Sequence, residues 1–397
     1  MIQARLGLTG VPRAAWVLLG GNVFDNFGYG MFFAILPLFI EGRGGNPGLV
    51  GIIGAAAMAG NLAVQAPAGW LADRFSRRAI VVASLGAYGL CFFLYLLPLP
   101  VWTLIGVRFA HAAVGGFYLP AARALLADLT PRHLRATAFG HWQGSGMGGF
   151  LVGPTVGGGL AVLFGFPIVF VAAALAGLVG AAFLTRLPSR VEVEAETGEE
   201  AAGTPVLGRL VLLLLPAMLV SLAWFYASGA YNAMWVLYMT ALGASPLVAG
   251  LSLTFYSLPI VLLSGAGGRL ADRYGIRVLT LGTLLGTGVF ALFYALTRSI
   301  PVVMGLGFAE ALFTVGGMPA IYAEISRAVP SSQQGRAQGI FGSFTIGVQA
   351  LGSLAGGFLF SYWIVLPFMS IAAACLAGIF GIPFLGRRRV PDPVAAC

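Results

Sequence analysis

Twelve apolar runs follow one another along the chain, and they leave little room for any other kind of fold. The first six fall at about 14–40, 48–71, 79–98, 101–127, 137–163 and 166–185. After a polar stretch, six more fall at about 210–240, 247–270, 277–297, 301–325, 336–361 and 364–385. A spanning helix needs roughly 20 apolar residues, so each run predicts one membrane crossing. Hydrophobic residues make up 59% of the 397 and charged residues only 9%, against about 25% charged in a soluble domain. A soluble enzyme or a nucleic-acid-binding domain is excluded. The expected fold is an all-α integral membrane protein with 12 transmembrane helices.

The basic residues report topology. All 22 are Arg, and 19 of them fall at one set of helix ends. Arg43 and Arg298 fall at the other set, and Arg108 lies inside a span. The positive-inside rule makes the Arg-rich side cytoplasmic, with both termini there, as an even number of spans requires. The formal charge of +9 therefore reflects orientation and not a nucleic-acid partner. The first apolar run is longer than the ~7–15 residues of a signal-peptide core, so it reads as a membrane helix that stays. Residues 186–209 hold Glu192, Glu194, Glu196, Glu199 and Glu200, without apolar periodicity, which predicts a solvated acidic linker. The expected organisation is a six-helix bundle over 1–185, the cytoplasmic linker, and a second six-helix bundle over 210–397 with a short cytoplasmic tail. Cys91, Cys375 and Cys397 are read as inert small hydrophobes, and no Cys/His cluster has metal-ligand spacing.

The two bundles are one unit repeated at an offset of 199 residues. Pro47 matches Pro246, and Gly51 matches Gly250. Gly69-Trp-Leu71-Ala72-Asp73-Arg74-Phe75 matches Gly268-Arg-Leu270-Ala271-Asp272-Arg273-Tyr274, and Arg78 matches Arg277. Pro120 and Pro131 match Pro319 and Pro330. Gly153, Gly157 and Gly158 match Gly352, Gly356 and Gly357. Parallel six-helix pseudo-repeats related by an axis along the membrane normal place a cavity between two rocking halves.

The loop Gly69-x-Leu71-Ala72-Asp73-Arg74-x-x-Arg77-Arg78 resembles the signature of the major facilitator superfamily, and it recurs in the second half. Ser76 stands where the family usually has Gly, and the second copy keeps Gly275. The resemblance implies a gating role for Gly69, Asp73, Arg74 and Arg78, and for Gly268, Asp272, Arg273 and Arg277. In the family the first Asp faces helix 11 and latches the cytoplasmic gate, and Asp272 would face helix 5. Gly69 and Gly268 are expected to permit close helix approach. The run Gly149-x-x-x-Gly153-Pro154-x-x-Gly157-Gly158 resembles a signature associated with proton-driven antiporters. Its small residues suit close contact, and its proline weakens the hydrogen-bond ladder so that the span can bend. Asp25, Gly28-x-Gly30 and Leu36-Pro37 are similar to span 1 of drug:proton antiporters, the tetracycline exporters included. Arg108 resembles the span 4 arginine of that branch, with His111 where Gln is usual and Ala112 where Gly is usual.

A charge at mid-bilayer costs about 2.5–3.5 kcal/mol on insertion scales and normally faces a water-filled cavity or a partner. Asp25, Glu310 and Arg108 incur that cost. Asn22, Asp25, Asn26 and Tyr29 share one helical face, as do Asn61 and Gln65. Tyr231, Asn232, Trp235 and Tyr256 add aromatic and polar groups. The mixture suits amphipathic or cationic organic substrates. His111 and His141 are read as satisfied core groups, and Asp128 and Glu324 as gate or loop ion pairs.

A carboxylate in a low-dielectric cavity can take a proton from the acidic outside and release it inside. Competition between substrate and proton for it makes exchange obligatory. Asp25 is the expected main coupling acid, Glu310 a second acid or cation partner, and Arg108 the residue that tunes the cavity potential. The expected function is proton-coupled efflux of small organic or drug-like molecules by alternating access. The partners are substrate, protons and the lipid bilayer of a bacterial inner membrane; the protein is a monomer without cofactor or metal. Efflux or facilitated transport of sugars, metabolites or amphipathic lipids remains open. A membrane-embedded enzyme is disfavoured, because His111, His133 and His141 make no catalytic spacing; a channel suits two rocking repeats poorly.

Overall fold

The computed structural model describes residues 10–131, 134–188, 207–329 and 333–385. Most of the acidic linker and the final residues lie outside the described ones, as does His133. Among the described residues the regular elements are helices, with no strand. In chain order these are α1 (Arg13–Gly42), α2 (Pro47–Arg74), α3 (Arg77–Cys91), α4 (Leu104–Gly116), α5 (Tyr118–Leu129), α6 (Arg135–Phe164), α7 (Phe166–Leu184), α8 (Leu207–Ala241), α9 (Pro246–Leu296), α10 (Ile300–Thr314), α11 (Gly317–Ala328), α12 (Gln334–Tyr362) and α13 (Leu366–Ile379). Among the described residues, ten helical segments are long and apolar enough to cross a membrane. Large side chains such as Leu163, Phe164, Leu296 and Phe380 are exposed, as a lipid-facing surface requires.

The eighth and ninth runs together make α9, which non-helical Gly275 divides into two helices, and two other runs differ from the sequence expectation. The fourth is not one helix: α4 ends at Gly116 and α5 begins at Tyr118. The tenth is interrupted at the equivalent place, between α10, ending at Thr314, and α11, beginning at Gly317. The physical reason lies in the matched prolines. Pro120 and Pro319 lack an N–H for the carbonyl four residues back. The break falls one turn before each, so that each proline sits in the first turn of a new helix, where it is tolerated.

The repeat extends to backbone detail. Asn46 caps α2 by accepting from the Leu49 N–H at 2.8 Å, and Ser245 caps α9 by accepting from Val248 at 3.4 Å. Pro47 and Pro246 follow at the first helical position. Gly44 (φ 84°) and Gly243 (φ 92°) both adopt the left-handed conformation that reverses the chain after the preceding helix. Gly44 and Gly45 donate to the carbonyls of Glu41 and Ile40, while Gly243 and Ala244 donate to those of Thr240 and Met239. The signature loop is where the copies part. Gly275 turns at φ 75° and ψ 159°, a conformation open to glycine. Ser76 instead sits at φ −56° and ψ 114° and caps α3 through its hydroxyl. One loop thus uses glycine's freedom and the other a side-chain cap.

By internal packing the chain divides into two compact units: Met1–Ala195 with Val236–Ser257, and Glu196–Trp235 with Leu258–Cys397. In the first, α1 packs along α6 and α7, α2 along α4, and α3 along α7. Gly149, Gly153 and Gly157 form the α6 seam against α1. A Cβ on Gly153 would collide with the Phe27 carbonyl and Gly30, and one on Gly157 with Met31. The neighbouring face of α6 meets the start of α9, where Thr155 and Thr254 share a hydrogen bond of 2.8 Å and Thr254 donates to the Leu151 carbonyl at 2.6 Å. In the second unit Gly352 packs on Tyr226 and Gly356 on Ala230. These are the positions 199 residues after Gly153, Phe27, Gly157 and Met31.

Candidate functional site

The first unit encloses a cavity of about 390 Å³, within the roughly 300–1,000 Å³ of small-molecule sites. Helix α1 supplies Asn22, Asp25, Asn26 and Tyr29 to it, α2 supplies Asn61, and α4 supplies Arg108. The helical spacing that groups these positions in sequence thus turns them toward one space. Gln65 and His111 do not line it.

The amides are held by their neighbours. Asn22, 4% exposed, donates to the Trp142 carbonyl at 2.9 Å and to Ser145 Oγ at 2.8 Å. Asn26 donates to the Asn22 carbonyl at 2.9 Å and to its Oδ1 at 3.1 Å. Gln65 donates to Asn61 Oδ1 at 3.3 Å. This ladder fixes one wall. Asp25 is different: no donor among the described residues reaches its carboxylate, although it faces the same cavity. Arg108 is 8% exposed. Its guanidinium lies 4.9 Å from the Phe32 ring centroid, and its Nε has no hydrogen-bond partner. The two opposite charges line one space without forming an ion pair with each other.

His111 lies behind this wall and is fully buried. Its Nδ1 meets the Tyr95 hydroxyl at 3.3 Å, and its ring packs 4.3 Å from Tyr88 and 4.5 Å from Phe92. The expectation that both histidines are satisfied core groups is met at one ring nitrogen of His111, through Tyr95, and not at the Nε2 atoms. Nε2 of His111 and Nε2 of His141 are buried without a partner, and His141 contacts Trp16 through its ring at 5.2 Å.

Glu310 belongs to the second unit and is 2% exposed. Its Oε2 accepts from the Tyr294 hydroxyl at 2.8 Å. Tyr294 packs edge-on to Trp235 at 5.1 Å and to Tyr231 at 6.3 Å, so these two expected cavity aromatics surround the acid's partner. Asn232 and Tyr256 are half-buried and line no described cavity.

The residues expected at the gate divide. Arg78 donates to the Thr185 carbonyl at 2.5 Å, and Arg277 donates to the Leu385 carbonyl at 2.7 Å. Each holds the final carbonyls of its own six-helix half, a favourable place for a cation. Arg77 pairs with Asp128 at 2.5 Å. Arg74 stacks on Trp70 at 4.7 Å, and Arg273 on Tyr274 at 5.4 Å. Among the described residues the close approach expected at Gly69 is not seen, because a Cβ there would meet none of their atoms within 4 Å. The side chains of Asp73 and Asp272, and the surroundings of Gly268, lie outside the described ones.

Sequence reasoning missed Tyr88, Tyr118, Trp142 and Arg123 as cavity residues. Their facing depends on how α3, α5 and α6 pack, which periodicity alone does not give. The Tyr95–His111 and Tyr294–Glu310 pairs carried a readable signal: both members recur at the 199 offset.

Spanning helices, an internal repeat and a polar cavity holding buried charges define a multi-pass membrane transporter. The chain belongs to the Major Facilitator Superfamily, whose family model matches residues 18–241 and 217–396. It is similar to Multidrug resistance protein 2 of Bacillus subtilis, 24% identical, covering 96% of this chain and 98% of that one. It is also similar to the multi-drug resistance efflux pump PmrA of Streptococcus pneumoniae, 26% identical, covering 92% and 94%. A crystal structure of a POT family transporter in complex with a thioalcohol-conjugated peptide superposes with a TM-score of 0.78 at 13% identity, covering 94% of this chain and 96% of that one. That likeness concerns the fold alone.

Proposed function

We propose that the protein is a proton-coupled antiporter that exports small organic, drug-like molecules by alternating access. The observation that carries this reading is Asp25: a carboxylate deep in an apolar helix, facing a cavity, with no partner among the described residues. Such a group can hold either a proton or a cationic part of a substrate, and competition between the two couples their movements. Arg108 sets the potential of the same space. Glu310, bonded to Tyr294, is the second acid. The names of the multidrug-resistance relatives support drug-like substrates. The paired positions of Asp73 and Asp272 in the repeat support a gating role for them. The Arg-rich helix ends support cytoplasmic termini in a bacterial inner membrane, and no cofactor beyond the proton gradient is invoked.

The test uses inside-out membrane vesicles energised with a proton gradient, with ethidium as the probe. Wild-type protein accumulates the dye against its gradient. Asp25→Asn retains binding but loses uphill accumulation. Wild-type accumulation by that variant removes Asp25 from the coupling role.

A further inference from the structure

Resting on the antiport reading, we propose that Tyr95 and His111 are positioning residues for the exchange: the chain Arg108–Tyr95–His111 holds the guanidinium at the cavity edge, so that it does not close onto Asp25 and take the place of proton or substrate. The observation that needs a cause is the separation of the two charges. Among the described residues, Asp25 and Arg108 line one cavity without forming an ion pair. Opposite charges attract strongly in apolar surroundings, and an arginine side chain is long and rich in rotamers. A guanidinium on Asp25 would keep that carboxylate ionised and occupied, and the competition between substrate and proton would end.

Two contacts hold Arg108 elsewhere. Its guanidinium lies 4.9 Å from the Phe32 ring centroid and is hydrogen-bonded to the Tyr95 hydroxyl. Tyr95 sits in the 3-10 turn after α3 (Phe92–Leu96) and is fully buried. Its ring stacks on Phe170 at 5.2 Å and meets Phe32 edge-on at 5.1 Å. Arg43 clamps the same turn by donating to the carbonyls of Leu97, Leu99 and Tyr95 at 3.1, 3.3 and 3.4 Å. The hydroxyl is therefore a fixed point. The direction of the chain follows from which groups can donate. Arginine only donates, so the Tyr95 oxygen accepts from Arg108 and its single proton is left for His111 Nδ1, 3.3 Å away. His111 completes the chain as a neutral ring that accepts at Nδ1. A protonated ring would offer a second donor to the same oxygen, leave the hydroxyl proton without an acceptor and set a second positive charge near Arg108.

The test measures ethidium binding to the purified full-length protein in detergent by fluorescence, across about pH 6 to 8. Tyr29, Tyr88, Tyr118 and Arg123 also face the cavity. Tyrosines ordinarily lose their proton near pH ~10 and arginine keeps its charge, which leaves Asp25 and His111 to account for any pH dependence. Wild-type protein binds ethidium more weakly as pH falls, and so does His111→Gln, which removes the imidazole and keeps an acceptor for Tyr95. Tyr95→Phe keeps the ring and loses only the hydroxyl. It binds roughly tenfold or more weakly, the size of a lost hydrogen bond to a charged group, and with a flatter pH profile, because Arg108 competes where the proton did. His111→Leu shifts the same way. In an Arg108→Gln background Tyr95→Phe has no further effect, since no guanidinium is left to move. Effects that persist in that background overturn the proposal, as does a wild-type affinity and pH profile in Tyr95→Phe. Where Tyr95→Phe yields no folded protein, the contrast between His111→Leu and His111→Gln decides, and equal pH profiles overturn the proposal. Ethidium accumulation in energised vesicles separates the two readings. Accumulation by the wild type with no effect of Tyr95→Phe overturns the positioning alone; wild-type binding that ignores pH, with no accumulation, overturns antiport and positioning together.

Discussion

Tyr294 donates its hydroxyl to Glu310 across the core of the second unit at 2.8 Å, and Tyr95 meets His111 at the equivalent position of the first. Both pairs are 16 residues apart and related by the 199 offset. The repeat has kept a tyrosine facing an ionisable group and changed the group. Removing the hydroxyl with Tyr294→Phe takes a donor from a buried carboxyl, at a cost of about 1–3 kcal/mol. Glu310→Gln keeps an acceptor oxygen for Tyr294 but cannot exchange a proton. Thermal unfolding in detergent is expected to show a lower Tm for Tyr294→Phe and little change for Glu310→Gln, while proton-driven transport falls in Glu310→Gln. Unchanged transport in the Gln variant assigns Glu310 to structure alone.

Much of the fold was legible because bilayer physics is strict. Run length gave the crossings, arginine placement predicts their orientation, and the i, i+3, i+4, i+7 spacing from Asn22 to Tyr29 gave a cavity wall. The breaks at Phe117 and Gly316 were missed, because hydropathy does not register a missing N–H, although matched Pro120 and Pro319 carried that information. Tyr88, Trp142 and Arg123 were hidden for another reason. Whether a side chain meets the cavity depends on the rotation of its helix against neighbours, and nearly uniform apolar helices encode that rotation weakly.

The α6 seam makes a steric prediction. Gly153 touches the α1 backbone at Phe27 and Gly30, whereas Gly69 meets no side chain or backbone of another described element. Gly153→Leu must push the helices apart and is expected to cost about 1–3 kcal/mol or more. Gly69→Ala is expected to leave stability unchanged or slightly improved, since alanine is the better helix former. Expression level and Tm of the two variants read the contrast. Equal destabilisation contradicts the packing described for both sites.

The Arg77–Asp128 ion pair joins the start of α3 to the end of α5. Arg77 is 29% exposed and Asp128 10%. A pair this accessible contributes roughly 0.2–1 kcal/mol and weakens with salt. Asp128→Asn should lower stability by that amount at low ionic strength and by less in high salt. A salt-independent loss above that range places Asp128 in a buried network instead.

Proton release on substrate binding tests the central claim most directly. Purified protein in weakly buffered detergent, near the pH at which half of Asp25 is protonated, is mixed with a substrate identified by drug-susceptibility screening in an efflux-deficient host. A pH indicator follows the medium. Competition at Asp25 predicts a burst of protons from the wild type on binding, and none from Asp25→Asn, which still binds. Binding without proton release by the wild type, or equal release by the Asn variant, contradicts the account.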